Sequence, residues 1–281
     1  MKLSYRIVNV FAIHGQRLTG NPLCVFEDAS ALSDADMQAL ALQFNLAETS
    51  FVSPSATADA RVRIFTPEYE MPFAGHPTLG TAHVVASLRG VTDRVALELN
   101  VGVIPVTRDG DLWELGAKHA TFRVPQASRA DLAAALGVDA ADLSGPPLWM
   151  NAGVEQLIVP LASPEAVRRA KPRYDALAVA TTDSQRPNAL VFATTGDGAL
   201  LSRYFYSQTG TMLEDPATGS ATANLGGWFL AQGVRPPVSW TIAQGEATGR
   251  PSALRLRIDD RGDVFVAGEV VELGRGFVDW V

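Results

Sequence analysis

The chain of 281 residues is 47% hydrophobic and 19% charged, long enough to bury one large core or two ordinary ones without a disulfide or metal staple. Its formal net charge of −7, with no basic cluster, gives no electrostatic reason to expect nucleic acid as a partner. No window approaches the roughly eighteen uncharged apolar residues of a membrane span. The N-terminus, MKLSYRIVNVFAIHG, has the alternation of a strand and no apolar core followed by a small-residue cleavage site, so no signal peptide is read there. The single cysteine, Cys24, excludes an internal disulfide and fits a reducing compartment; a cytoplasmic protein is expected. Four histidines, His14, His76, His83 and His119, are too few and too scattered for a zinc site, and no carboxylate is spaced to complete one around His76 and His83.

In chain order, RIVNVFAI predicts a strand, GNPLCVF a turn and strand, and SDADMQALALQFN a helix capped by Ser33, with Asp34 and Asp36 in its first turn. ETSFVS and ARVRIFT alternate as strands and lead into the turn of EMPFAGHP and a helix over TLGTAHVVASL. RVALEL and VIPVT are strands, SRADLAAALGV an amphipathic helix, and SGPPL a loop. QLIVPL, the short helix SPEAVRRAK and the strands ALVFATT and LLSRYFYS follow. Then the frame Glu-x-Pro-x-x-Gly returns in EDPATG and opens a helix over ATANLGGWFLA.

That frame therefore occurs twice, at Glu70 and at Glu214, each time after an Arg-x-Phe strand (RIF at 63–65, RYF at 203–205). A repeat of this length is a duplicated domain; solenoid units are far shorter. Gly and Pro are also what any sharp strand-to-helix reversal requires, so duplication for folding alone explains part of the pattern. The turns carry more than that, with His76 in the first and Asp215, Thr218 and Ser220 in the second.

A glycine turn feeding a helix offers unpaired backbone N–H groups and a partial positive charge, a seat for a carboxylate or a developing enolate. Two such turns, one per half, are expected to face a common cleft. Thr218 and Ser220 are suited either to capping backbone donors or to binding a ligand. No Gly-x-Ser-x-Gly elbow and no phosphate-binding glycine loop is present, which leaves an acid/base site. Its candidates are His76, Asp215 and Glu48; Glu48, in NLAETSFV, is either a solvated turn residue or a partly buried carboxylate suited to proton shuttling.

TGNPLCVF, LAETSFV, RIFTPEYEMPFAGHPTLGTA and EDPATGSA, in this order, resemble the PhzF-like proteins of phenazine biosynthesis, with QGEATGRPSAL (244–254) as a further similar segment. The resemblance runs from about residue 6 to about residue 275. It implies the α+β diaminopimelate epimerase-like fold: two homologous domains, each a curled sheet or barrel around a central helix, with the active site in the cleft between them. We expect the first domain over about 1–117, with 271–281 returning to it as in related epimerases, and the second over about 118–270.

The resemblance further implies a cofactor-free isomerase acting on trans-2,3-dihydro-3-hydroxyanthranilate or a similar small carboxylate, and a homodimer. In it Glu48 moves the proton, His76 and Asp215 bind and polarise the substrate, and Ser220, Gly75 and Gly219 hold its carboxylate. Related epimerases use two opposed cysteines; with Cys24 alone, outside both turns, this chain is expected to use one base. The segment YFYSQTGTMLEDP departs from the family's usual Phe-x-Pro stretch and Gly-Ile, and its Tyr206, Ser207, Gln208 and Thr211 either line the pocket or pave a surface loop. A carboxylate-binding protein of the same fold without turnover is the alternative reading.

Overall fold

The structure, a computed structural model, describes residues 1–280. By internal contacts the chain divides into one unit of residues 1–116 plus the segment from Ala267 onward, and a second of Ala117–Val266. Among the described residues no helix is long and apolar enough to cross a membrane.

The first unit contains β1 (Lys2–Ala12), β2 (Asn21–Phe26), α1 (Asp34–Phe44), β3 (Thr49–Ser53), β4 (Ala60–Phe65), β5 (Glu70–Met71), α2 (Gly75–Arg89), β6 (Arg94–Leu99), β7 (Gly102–Asp109) and β8 (Leu112–Gly116). The second contains β9 (Thr121–Arg123), α3 (Arg129–Leu136), β10 (Leu148–Asn151), β11 (Glu155–Pro160), α4 (Pro164–Arg169), α5 (Tyr174–Ala180), β12 (Asn188–Gly196), β13 (Ala199–Gln208), β14 (Thr211–Asp215), α6 (Gly219–Ala231), β15 (Val238–Gln244) and β16 (Ser252–Ile258). The last strand, β17 (Val264–Asp279), begins in the second unit and returns to the first.

In the first unit β1 pairs with β2, β2 with β3, β3 with β4, β4 with β6, β6 with β7 and β7 with β8; β17 closes the ring against both β8 and β1. An eight-strand barrel is narrow and a helix with its side chains is about 10–12 Å across, so a helix inside it must be built from small residues. α2 obeys this: Gly80, Thr81, Ala82 and Ala86 are buried, and a Cβ on Gly80 would come within 2.6 Å of Leu23 and 2.9 Å of Val10. Outside the ring, α1 covers Phe26, Phe51 and Phe65. It is held at its start by the capping box that Ser33 forms with Asp36.

The second unit repeats the plan. The antiparallel β10–β11, parallel β11–β12, antiparallel β12–β13, parallel β13–β15 and antiparallel β15–β16 pairings match those of β1 through β7 in order and sense. α6 takes the place of α2 and packs on β10, β11 and β16. Gly226 lies where a Cβ would approach Val264 to 2.7 Å. Trp149, Leu157, Val191 and Phe205 form a second apolar layer with α3, α4 and α5. The stretch after Tyr204 is a tight hairpin rather than a loop: Gln208 pairs with Thr211 across Thr209 and Gly210, both at positive φ, the turn that suits the strand twist.

The two registers superpose the halves residue by residue. Phe65 lies opposite Glu70 and Thr49 opposite Phe65 in one unit; Phe205 lies opposite Glu214 and Ala189 opposite Phe205 in the other. The repeated Arg and Glu meet across these hairpins. Arg63 donates Nε and Nη2 to the two carboxylate oxygens of Glu70 at 2.8 and 2.6 Å, and Arg203 does the same to Glu214 at 3.0 and 2.7 Å. Each guanidinium also lies over the phenylalanine two residues on, Phe65 or Phe205. Bidentate forks fix orientation as well as distance, so each closes the hairpin that delivers the chain to its glycine turn. Arg203 is further anchored on the carbonyls of Val167, Arg168 and Ala170 at the end of α4, whereas Arg63 reaches the exposed Asp34.

This difference sets an order of stability effects. Arg203→Met strips the part-buried Glu214 and three carbonyls of their partner and is expected to lower unfolding stability by about 3 kcal/mol. Arg63→Met, in a wetter place, is expected to lower it by about 1 kcal/mol. Urea unfolding of the two variants measures both.

Candidate active site

α2 and α6 begin at Gly75 and Gly219 with no side chain capping their first turns. Three of the other four helices are capped by a serine, Ser33, Ser128 or Ser163. The turns at Gly75 and Gly219 thus present N–H groups of the kind that α1, α3 and α4 satisfy with serine caps, together with the positive end of the helix dipole. Pro77 sits in the first turn of α2, where its missing N–H is of no consequence.

In the first unit Glu48 stands just before β3 and His76 is the second residue of α2. The Glu48 side chain is 16% exposed and its Oε2 lies 3.5 Å from Nε2 of His76, itself 6% exposed. Of the two sequence alternatives for Glu48, the partly buried carboxylate is the one found. The imidazole donates to the carbonyl of Pro22; since Nε2 makes no hydrogen bond, the donor is Nδ1, and the Nε2 lone pair faces the carboxylate. Burial pushes His76 down to about 3, against a smaller upward pull from the Pro22 bond. A carboxylate at 3.5 Å does not offset that desolvation, so the ring is neutral at ordinary pH and the pair is no ion pair.

In the second unit the half-buried Asp215 ends β14, and Thr218, Gly219 and Ser220 open α6. Thr218 does not use its hydroxyl as a cap; it donates to Asp215 Oδ2. Gln244, 1% exposed, ties the turn from behind, donating Nε2 to the Asp215 carbonyl at 2.9 Å and to Thr218 Oγ1 at 3.0 Å. Gly245 allows that approach. Its φ is +83°, and a Cβ there would lie 2.6 Å from the Pro216 carbonyl and 2.3 Å from that of Arg250. Ser220 Oγ also caps nothing; it accepts from Gln156 Nε2 at 3.0 Å.

Glu48 and His76 are thus brought together in the first unit, and Asp215, Gly219 and Ser220 in the second, with Gly75 opening the first turn. At the place in the second unit that matches Glu48 stands Asn188, whose side chain is used on backbone: it accepts from Leu157 N and donates to the carbonyls of Glu155 and Arg186. The carboxylate is therefore particular to one half. His83 does not join His76; it accepts from Trp113 Nε1 at 3.3 Å. Cys24 lies in β2, fully buried, and burial pushes its thiol far up. Gln156, Asn224, Tyr204 and Gln244 were not singled out by the sequence. Only Gln244 carried a signal, at the head of QGEATGRPSAL.

The arrangement provides a half-buried carboxylate beside a neutral imidazole with a free lone pair, and two helix N-termini for anionic groups. In the first unit such a carboxylate and ring are chemically able to move a proton, and each helix N-terminus, within its own unit, is able to hold an anionic group.

Residues 8–276 match the family described as phenazine biosynthesis-like protein. An uncharacterized isomerase of Pasteurella multocida is 35% identical over 276 residues, covering 97% of this chain and 93% of that protein. The trans-2,3-dihydro-3-hydroxyanthranilate isomerase of Pseudomonas aeruginosa is 34% identical over 282 residues, covering 98% of each. A Bacillus anthracis phenazine biosynthesis protein of the PhzF family shares the fold at a TM-score of 0.87 and 23% identity, covering 99% of each chain. A hydroxyproline epimerase of Agrobacterium vitis shares it at 0.68 and 13% identity, over 99% of this chain and 92% of that one.

The burial of neutral His76 has a pH signature. With its folded pKa depressed to about 3, the unfolded chain binds the extra proton between that value and about 6.5, so this stabilising contribution is complete above about 6.5 and lost as pH falls. From pH 7 to pH 5 the wild type is expected to lose about 2 kcal/mol more stability than His76→Asn. Urea midpoints at the two pH values test this.

Proposed function

The chain belongs to the phenazine biosynthesis-like family, two relatives at 34% and 35% identity are named as isomerases, and on that footing we propose that it moves a proton between two carbons of a small carboxylate-bearing substrate. The substrate class we propose is that of trans-2,3-dihydro-3-hydroxyanthranilate, named for the Pseudomonas aeruginosa relative. Glu48 is the catalytic base and then acid: it takes a proton from one ring carbon and returns it to another, needing no cofactor. The observation that carries this reading is the 3.5 Å approach of Glu48 to the neutral, buried His76.

A general base must lie within hydrogen-bond reach of the proton it moves. His76, kept neutral, adds no positive charge that would hold Glu48 as a permanent carboxylate partner. Its Nε2 lone pair accepts from the protonated glutamic acid or from a substrate N–H or O–H. Gly75 and Gly219 supply backbone donors and Ser220 a hydroxyl for the substrate's carboxylate. Asp215, with its carboxylate aligned by Thr218, takes a substrate amino or hydroxyl donor. The reading carries with it a cytoplasmic homodimer, for which size-exclusion chromatography with light scattering gives the mass.

Proton NMR in D₂O with trans-2,3-dihydro-3-hydroxyanthranilate and related cyclic amino and hydroxy acids tests the proposal. We expect isomer formation or deuterium wash-in that falls by about 10²- to 10⁴-fold in Glu48→Gln. Turnover that survives the substitution, or binding by the wild type with no exchange, contradicts it; the second outcome describes a carboxylate-binding protein.

A further inference from the structure

Ser220 is held by a chain of amides whose direction is fixed from the backbone outward. The N–H of Ala152 donates to Asn224 Oδ1 at 2.8 Å, which leaves Asn224 Nδ2 to donate to the Val154 carbonyl at 2.9 Å and to Gln156 Oε1 at 2.7 Å. With its oxygen so occupied, Gln156 turns Nε2 toward Ser220 Oγ at 3.0 Å and Tyr204 Oη at 3.2 Å. Flipping Asn224 sets N–H against the Ala152 N–H and oxygen against the Val154 carbonyl, and flipping Gln156 sets its N–H against that of Asn224, in a place where Gln156 is 2% and Asn224 1% exposed. Ser220 Oγ therefore receives a hydrogen from Gln156, and its own hydrogen points to some other acceptor. Among the described residues the hydroxyl makes no other hydrogen bond.

The fold does not require any of this. In the first unit the places that match Gln156, Asn224 and Tyr204 are filled by Leu23, Gly80 and Ile64. Leu23 lies opposite Val8 as Gln156 lies opposite Met150; Gly80 and Asn224 are each sixth in their helix; Ile64 and Tyr204 each precede the repeated phenylalanine. An apolar trio serves the same packing. Its replacement by a satisfied polar relay in one unit, ending on the residue that matches His76, calls for a reason beyond stability.

We infer that Gln156, locked by Asn224, is a positioning residue that presets Ser220 as a hydrogen-bond donor, so that the second turn selects an anionic acceptor such as a carboxylate and disfavours a donor such as an ammonium or amide N–H. The inference rests on the reading that Ser220 meets the substrate's carboxylate. A preset donor loses less rotor freedom on binding than a free hydroxyl and has no competing acceptor among the described residues, so the effect falls on binding of the ground state and of the transition state alike.

A double-mutant cycle with Gln156→Leu and Ser220→Ala tests it, read as KM and kcat for trans-2,3-dihydro-3-hydroxyanthranilate and as the Kd of anthranilate, a stable aromatic carboxylate probe, by NMR titration. Leu is chosen because Leu23 fills the matching place. Gln156→Leu is expected to raise KM and Kd about tenfold, with kcat within about twofold, and to change neither by more than about twofold when Ser220 is already Ala. Equal losses in both backgrounds, or no loss in Gln156→Leu, overturn the inference while leaving the function proposed above intact. A Ser220→Ala protein that binds and turns over as the wild type refutes the reading of Ser220 and the inference with it. Neutron diffraction from the deuterated wild type, which needs no variant to fold, is expected to place the Gln156 amide deuterons on Ser220 Oγ; Gln156 oxygen facing Ser220 overturns the inference.

Discussion

An arginine fork closed on a glutamate across a short hairpin, made once in each half of the chain, is the contact from which the rest of the candidate site takes its place. The hairpin register sets where the strand ends, the Pro-containing turn then reverses the chain, and the glycine opens an uncapped helix. The helix must be lined with small residues because it runs through the middle of a narrow ring of strands. A salt bridge is a weak source of stability on its own, but here two parallel hydrogen bonds and an aromatic face fix an orientation.

On that shared frame the two units have diverged in their side chains. Glu48 in one corresponds to Asn188 in the other, which is consumed in backbone hydrogen bonds. His76 corresponds to Ser220, and the apolar Leu23 and Gly80 to the amides Gln156 and Asn224. The first unit thus holds a carboxylate and a neutral ring in a poorly hydrated place, suited to a proton in transit. The second holds donors of fixed sense, suited to a static negative charge. One scaffold duplicated and then dressed for two electrostatic tasks fits the glutamate-based proton transfer proposed above, in a chain whose only thiol is buried in a strand.

Much of this was legible in the sequence because local chemistry is repeated in it. Ser33 with Asp36 announces α1, Pro77 and Gly75 the start of α2, and the paired Arg-x-Phe and Glu-x-Pro-x-x-Gly frames the duplication. The ring and the return of the last strand were legible only through the resemblance, and the short helix α5 not at all, since strand pairing between distant segments leaves no periodic mark. In the site, the glycines and ionisable residues stood out by type, whereas Thr218 and Ser220 offered capping as an equal reading. That neither hydroxyl caps its helix is seen only in the structure, where Gln244 and Gln156, glutamines on distant strands, donate to them. A buried amide looks in sequence like any surface glutamine.

Proton transfer through Glu48 as proposed requires His76 to be a neutral ring with its proton on Nδ1 and a lone pair toward Glu48, and ¹⁵N NMR of the imidazole measures that without any substrate. The account predicts shifts of the neutral Nδ1–H tautomer that hold unchanged from pH 8 down to pH 5, as expected for a group pushed down to about 3. A midpoint near the ordinary histidine value of about 6.5, or a proton found on Nε2, contradicts it.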